Sequence, residues 1–105
     1  MRTYVISVIL QGQQNNYFKD DDFFQLARSL SALSIKRKSV IRLTKSHPAF
    51  FLSKGHLHKI RNYVADNDIG LVLIDNPLSP VQQRNLEKKL IAKVLYRKSL
   101  DLYNF

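Results

Sequence analysis

His56 and His58 stand two residues apart, and Asp75 lies beside Asn76 at the end of an apolar run. A metal site or a hydrolytic centre would have to be built from residues such as these. On a helix, a spacing of two turns the rings to different sides. No Asp or Glu lies close by to complete a ligand set, so the pair reads as surface histidines on a basic helix. The carboxyl end of a strand is where α/β enzymes keep catalytic acids. Asp75 has no second carboxylate beside it, however, and reads as a residue that ends the strand and starts a turn. Ser79 would need a neighbouring base to act as a nucleophile, whereas Pro80 and Gln82 directly after it give it the spacing of a helix cap. Cysteine is absent, which removes disulfides, zinc-thiolate and iron-sulfur sites and thiol catalysis. The glycines are Gly12, Gly55 and Gly70. So scattered, they form neither a phosphate-binding loop ending in GKS or GKT nor a GxGxxG turn. No catalytic residue, metal ligand or cofactor site is assigned, and GTP hydrolysis is not encoded in these residues.

Hydrophobic periodicity along the chain defines the strands and helices that carry these groups. Residues 4–10 are a continuous run rich in Val and Ile, as expected for a strand covered on both faces. A polar loop follows at 11–16. Asp20, Asp21 and Asp22 then mark a helix start, with Phe23, Leu26, Ala27, Leu30 and Leu33 at helical spacing. Val40, Ile41 and Leu43 predict a second strand, and residues 45–54, with Pro48, a connection. Leu57, Ile60 and Val64 define one face of a second helix running out near Asn67. Residues 69–75 are a third buried strand. Ser79, Pro80, Val81 and Gln82 combine capping-box spacing with proline at the first helical position, so a third helix runs from there to about Ile91. Val94, Leu95 and Tyr96 close the order as a short fourth strand. Strands alternating with helices require crossovers, so the expectation is one three-layer α/β domain over residues 1–105. Its mainly parallel four-stranded open sheet, βαβαβαβ, carries helices on both faces. A ligand or partner should meet the loops beyond the strands' carboxyl ends, at 11–19, 45–55, 76–79 and after Tyr96.

Charge singles out one part of that order. The chain has 105 residues, with 17 Lys and Arg against 8 Asp and Glu, for a net charge of +9. From Phe23 to Ala65 there is no acidic residue. The same stretch holds Arg28, Lys36, Arg37, Lys38, Arg42, Lys45, Lys54, Lys59 and Arg61, so it carries the whole net charge. An acid-free basic stretch of this length suits a polyanion, and the candidate RNA-binding residues are Lys36, Arg37, Lys38, Arg42, Lys45, Lys54, Lys59 and Arg61. The plainer alternative is a solvated basic surface that keeps the protein soluble. No helix-turn-helix, zinc-finger or RNA-recognition-motif pattern appears, which tilts the expected partner toward RNA. The longest apolar runs, 4–10 and 69–74, fall far short of the roughly 20 residues of a membrane-spanning helix. Gln11, Gln13 and Gln14 occupy the place where a signal peptide would need small residues. The expectation is therefore a cytoplasmic protein with no membrane contact.

The segment LSPVQQRNLEKKL, Leu78 to Leu90, resembles the LSPxQxRNLE signature of the amino-terminal domain of HflX-type GTPases. Its surroundings are similar too. HPAFFLSKGHLHKI, His47 to Ile60, resembles the family's pattern of a proline, an aromatic pair and a Gly-rich turn leading into a helix. VLYRKSLDLYNF, Val94 to Phe105, resembles the family's terminal segment. The motif residues carried over are Gly55, Ser79, Pro80, Gln83, Arg84, Asn85 and Arg97. Ser53 stands where the family has its first glycine and His56 where it has a lysine. Tyr96, Lys98, Ser99 and Tyr103 stand where it has Asp, Thr, Gly and a later Asp. The resemblance implies a module that docks on large-subunit ribosomal RNA, full-length relatives splitting or rescuing ribosomes. GTP and magnesium are implied only for a GTPase domain beyond these residues, supplied in cis or in trans. The lost junction residues favour a free-standing module over an excised first subdomain. Two readings of other classes stand beside this one: a small nuclease or nucleotide-binding enzyme using Asp75 with a histidine, and a protein-interaction regulatory domain. Self-association is left open.

Overall fold

Four parallel strands make one sheet in the order β2-β1-β3-β4, with β1 at Arg2–Leu10, β2 at Ser34–Leu43, β3 at Leu71–Asp75 and β4 at Lys93–Tyr96. The computed structural model describes residues 1–12, 24, 25, 27–30 and 32–96. The parallel pairing is continuous, from Arg2↔Ser34 to Leu10↔Leu43 on one side of β1 and from Thr3↔Leu71 to Ser7↔Asp75 on the other. β3 pairs with β4 from Leu71↔Lys93 to Ile74↔Tyr96. The expected α/β architecture is present, with every strand pair parallel. Residues 3–8 of β1 are buried throughout, as a central strand covered on both faces must be.

Alternate residues of the strands feed two separate cores. On one face Tyr4, Ile6, Val8, Ile41, Leu43, Val72, Ile74 and Val94 pack under helices α1, Lys54–Asp66, and α2, Pro80–Leu90. Leu57, Ile60 and Val64 of α1 and Leu86 and Leu90 of α2 supply the helical side of this core. On the other face Val5, Leu71, Leu73 and Leu95 pack with Ala27, Phe24, Leu30 and Leu33. Residues 24, 25 and 27–29 are helical. The distribution follows from chirality: the β1-to-β2 crossover runs one way along the sheet, and the later two run the other way. Right-handed crossovers therefore put the first helix on one face and the other two opposite. The reversal lies between β1 and β3.

Several boundaries differ from the sequence expectation, among them the starts of β1 at Arg2, ahead of residue 4, and of β3 at Leu71, after residue 69. β2 begins at Ser34, ahead of Val40, because an edge strand alternates charged and half-buried residues and lacks an apolar run. Gly55 and Lys54 belong to α1 and not to the loop before it. Leu30 and Leu33 lie after the first helical residues and still pack in that helix's core. Asp20, Asp21, Asp22, Phe23 and Leu26 lie outside the described residues.

Candidate nucleic-acid interface

Edge strand β2 carries Lys36, Arg37, Lys38 and Arg42, and all four are exposed. Its pairing with β1 shifts between Thr3 and Tyr4, whose partners are Ile35 and Arg37, so Lys36 is the extra residue of a bulge. Beyond the bulge the side chains alternate. Arg37 lies on the α1 side, its guanidinium 4.9 Å from the ring centre of Tyr63 and 5.8 Å from that of Tyr4. The two rings themselves meet edge to face at 5.0 Å. Tyr4 Oη and Ser39 Oγ share a 2.7 Å hydrogen bond, and Tyr63 Oη donates to the Lys36 carbonyl at 3.4 Å. Lys38 lies on the opposite side, its Nζ 5.2 Å from the centre of the Phe24 ring. By alternation Val40 and Arg42 share that side.

The acid-free stretch is therefore contiguous in sequence but divided in space. Four of its cations line one sheet edge and point to both sides of it. Lys45 extends that line, exposed, beyond the carboxyl end of β2. Lys54 opens α1, where it and Lys59 are exposed and Arg61 is half-buried. Lys59 precedes Tyr63 by one helical turn and so shares its side of α1, which Tyr63 brings to β2. No local pattern marks the Arg37 stack, because its two rings come from elements far apart in the chain.

Two of the carboxyl-end loops, at 45–53 and 76–79, lie wholly within the described residues, and hydrogen bonds tie both down. His47 and Phe51 close a small ring through His47 N–H to Phe51 carbonyl at 3.0 Å and Phe51 N–H to His47 carbonyl at 2.9 Å. Within it His47 Nδ1 accepts from the amides of Ala49 and Phe50. Phe51 is buried with a φ of 63°, a left-handed conformation that costs a residue with a Cβ about 1–2 kcal/mol. Helix α2 holds this ring in place: Gln82 Nε2 donates to the His47 carbonyl at 2.9 Å and Asn85 Nδ2 to the Ala49 carbonyl at 3.0 Å. Asn76 Nδ2 donates to the Val8 carbonyl at 2.7 Å, tying β3 to β1 where the strand order reverses. Asn76 is a structural tie, and among the described residues no three His, Asp or Glu side chains gather as a metal site. His56 and His58 have separate local partners, Ser53 Oγ at 2.6 Å and Asn62 Nδ2 at 3.3 Å.

The LSPVQQRNLE segment is mostly internal machinery. Ser79 Oγ accepts from the Gln82 amide at 3.1 Å and Gln82 Oε1 from the Ser79 amide at 3.0 Å, a complete capping box followed by Pro80. Gln83 Nε2 donates to the Val94 carbonyl at 2.7 Å, and Glu87 Oε2 accepts from the Val94 amide at 3.0 Å. Leu78 and Leu86 are buried. Arg84 is exposed on α2. The two departures at the Gly-rich turn compensate each other: Ser53 caps α1 through the His56 amide and also holds the His56 ring. Arg97 lies outside the described residues, as do Lys98, Ser99 and Tyr103.

The GTP-binding GTPase N-terminal family matches residues 19–105. The chain belongs to this family. The match reaches well ahead of the segments that carry the resemblance in sequence, back across β2. GTPase HflX of Magnetococcus marinus is 29% identical over 105 residues, covering 94% of this chain and 24% of that protein. GTPase HflX of Escherichia coli is 30% identical over 92 residues, covering 82% of this chain and 22% of that protein. A GTP-binding protein from the hyperthermophilic archaeon Sulfolobus solfataricus, solved in complex with GDP, superposes with a TM-score of 0.70 at 20% identity. It matches 97% of this chain and 29% of its own. That likeness shows the fold. As a member of the GTPase N-terminal family, the chain spans about a quarter of the length of its HflX relatives and matches their amino-terminal part, not their GTPase domain. No helix among the described residues is long and apolar enough to cross a membrane.

Proposed function

We propose that this chain is a cytoplasmic docking module for large-subunit ribosomal RNA and is not itself a GTPase. The observation that carries the reading is the cationic edge strand, where Lys36, Lys38 and Arg42 project from β2 and Lys45 continues their line. Phosphates of a folded RNA are best met by cations on a rigid frame, because less side-chain and backbone freedom is lost on contact. Arg37 has a different part: stacked on Tyr63 and near Tyr4, it pins α1 against β2 and holds the edge in shape. Membership of the amino-terminal family of HflX-type GTPases supports the same partner, since the resemblance implies ribosome docking in full-length relatives. Lys54, Lys59 and Arg61 on α1 would add a second, weaker line of contact.

Cosedimentation with purified large subunits tests the reading. Binding should weaken steeply with salt, with a log-log slope of roughly 0.7 to 0.9 per phosphate neutralised. The double variant Lys38→Glu, Arg42→Glu should lower both the affinity and that slope while leaving the melting midpoint nearly unchanged. Salt-independent or absent association would remove the proposal.

A further inference from the structure

The sheet has two edges, and they are treated differently. At β4, Lys93 N–H bonds back to the Gly70 carbonyl, so by alternation the peptide groups of Val94 face outward. Both are closed by side chains of α2: Gln83 Nε2 takes the carbonyl and Glu87 Oε2 the amide. At β2, the Leu43 carbonyl accepts from the Gln11 amide, on the β1 side. By the same alternation, Lys38, Val40 and Arg42 turn their N–H and C=O outward. No hydrogen bond to these groups is made among the described residues; only the Lys36 carbonyl, at the bulge, is met, by Tyr63 Oη. Among the described residues the outer side of β2 is thus an open strand edge beyond the bulge. Val40 is 51% exposed, with Lys38 and Arg42 two residues to either side on the same face.

From this contrast we infer that the open edge of β2 is a strand-addition site for an extended acidic polypeptide segment. An added strand would satisfy the outward groups of Lys38, Val40 and Arg42. It would set carboxylates two residues apart from a central apolar side chain, opposite Lys38, Arg42 and Val40 respectively. Charge selects this occupant. A second copy of the chain would bring Lys38 and Arg42 against themselves, and like charges directly across a strand pair are destabilising. The proposal goes beyond the ribosome reading and does not rest on it: RNA would use the side chains of β2, whereas an added strand also uses its backbone.

The test is an NMR titration of the full chain with a short synthetic peptide in which Glu occupies alternate positions and Val replaces the central Glu. A second peptide of the same sequence carries N-methyl groups on alternate amides, which keeps the charge and removes the strand hydrogen bonds. The expected result is protection from hydrogen exchange at the Lys38, Val40 and Arg42 amides, with Ser39 and Ile41 unchanged because they already face β1. The methylated peptide should bind about tenfold more weakly, the loss expected for one or two backbone hydrogen bonds. Equal affinity for both peptides would reduce the interaction to charge alone and overturn the proposal. So would absence of binding, or protection of the same amides by a uridine oligonucleotide and not by the peptide. Ribosome sedimentation is read separately, so failure of either idea is recognised on its own.

Discussion

Single residues in this domain are most informative where their backbone or their partner is unusual. Ser79 is an N-cap whose hydroxyl and whose neighbour Gln82 satisfy each other's amides. Ser79→Ala should cost about 1 kcal/mol, read as a lower midpoint in urea. That cap was legible in the sequence, because a serine, a proline and a glutamine at fixed offsets are a local signal. Ile91 is the opposite case. It ends α2 with φ 54° and ψ 51°, a left-handed conformation disfavoured for a β-branched side chain, and it is 67% exposed. Ile91→Gly should therefore raise stability by about 1 kcal/mol, since the side chain contributes little packing to offset the strain. A lower midpoint would contradict that account. Asp68 makes the same turn after α1, where the Ile69 amide reaches back to the Val64 carbonyl, and there an Asp tolerates the left-handed φ of 51° better than isoleucine does. The strain at Ile91 was not visible in the sequence, for nothing local marks a left-handed residue that is not glycine, asparagine or aspartate.

At the scale of elements, β4 shows how a four-residue strand is kept in register. It pairs on one side only, with β3, and its outward peptide at Val94 is held by two side chains from one face of α2. Gln83 and Glu87 are four apart and so lie one above the other on that face. Replacing both with Ala should speed hydrogen exchange at the Val94 amide well beyond that at Leu73 in the sheet centre. The double variant should cost about 1–3 kcal/mol, as two hydrogen bonds contribute about 0.5–1.5 kcal/mol each. Unchanged exchange at Val94 would remove the latch. The strands and helices themselves were readable wherever they were buried on both faces or carried caps, as at residues 4–10, 69–75 and 79–91. The edge strand is longer than its apolar residues suggest because its outer residues are charged. Which cations would share a face was not readable at all, since the bulge at Lys36 shifts the alternation and only pairing with β1 reveals it.

For the whole molecule, the order of elements determined the layers and the parallel sheet, and the physical basis is the handedness of crossovers. It left open which groups would meet at the carboxyl ends. There the domain has spent its polar side chains on holding loops: Gln82 and Asn85 grip the 47–51 ring, and Asn76 bridges β3 to β1. Phosphoryl transfer needs backbone amides wrapped around the phosphates, a lysine and a magnesium-binding hydroxyl held together at one turn. In this chain Gly12 follows β1, Gly55 lies inside α1 and Gly70 precedes β3, so no single turn gathers them. Purified to homogeneity, the chain should show no GTP turnover above buffer. Any nucleotide bound to its cationic edge should leave with moderate salt and show no preference for guanine, because lysines attract phosphates without reading the base. The check is steady-state phosphate release, with binding measured in parallel for GTP and ATP at two salt concentrations. Turnover that persists through repurification and disappears with one substitution in this chain would contradict the prediction. Turnover that ignores every such substitution would belong to a contaminant and leave it standing.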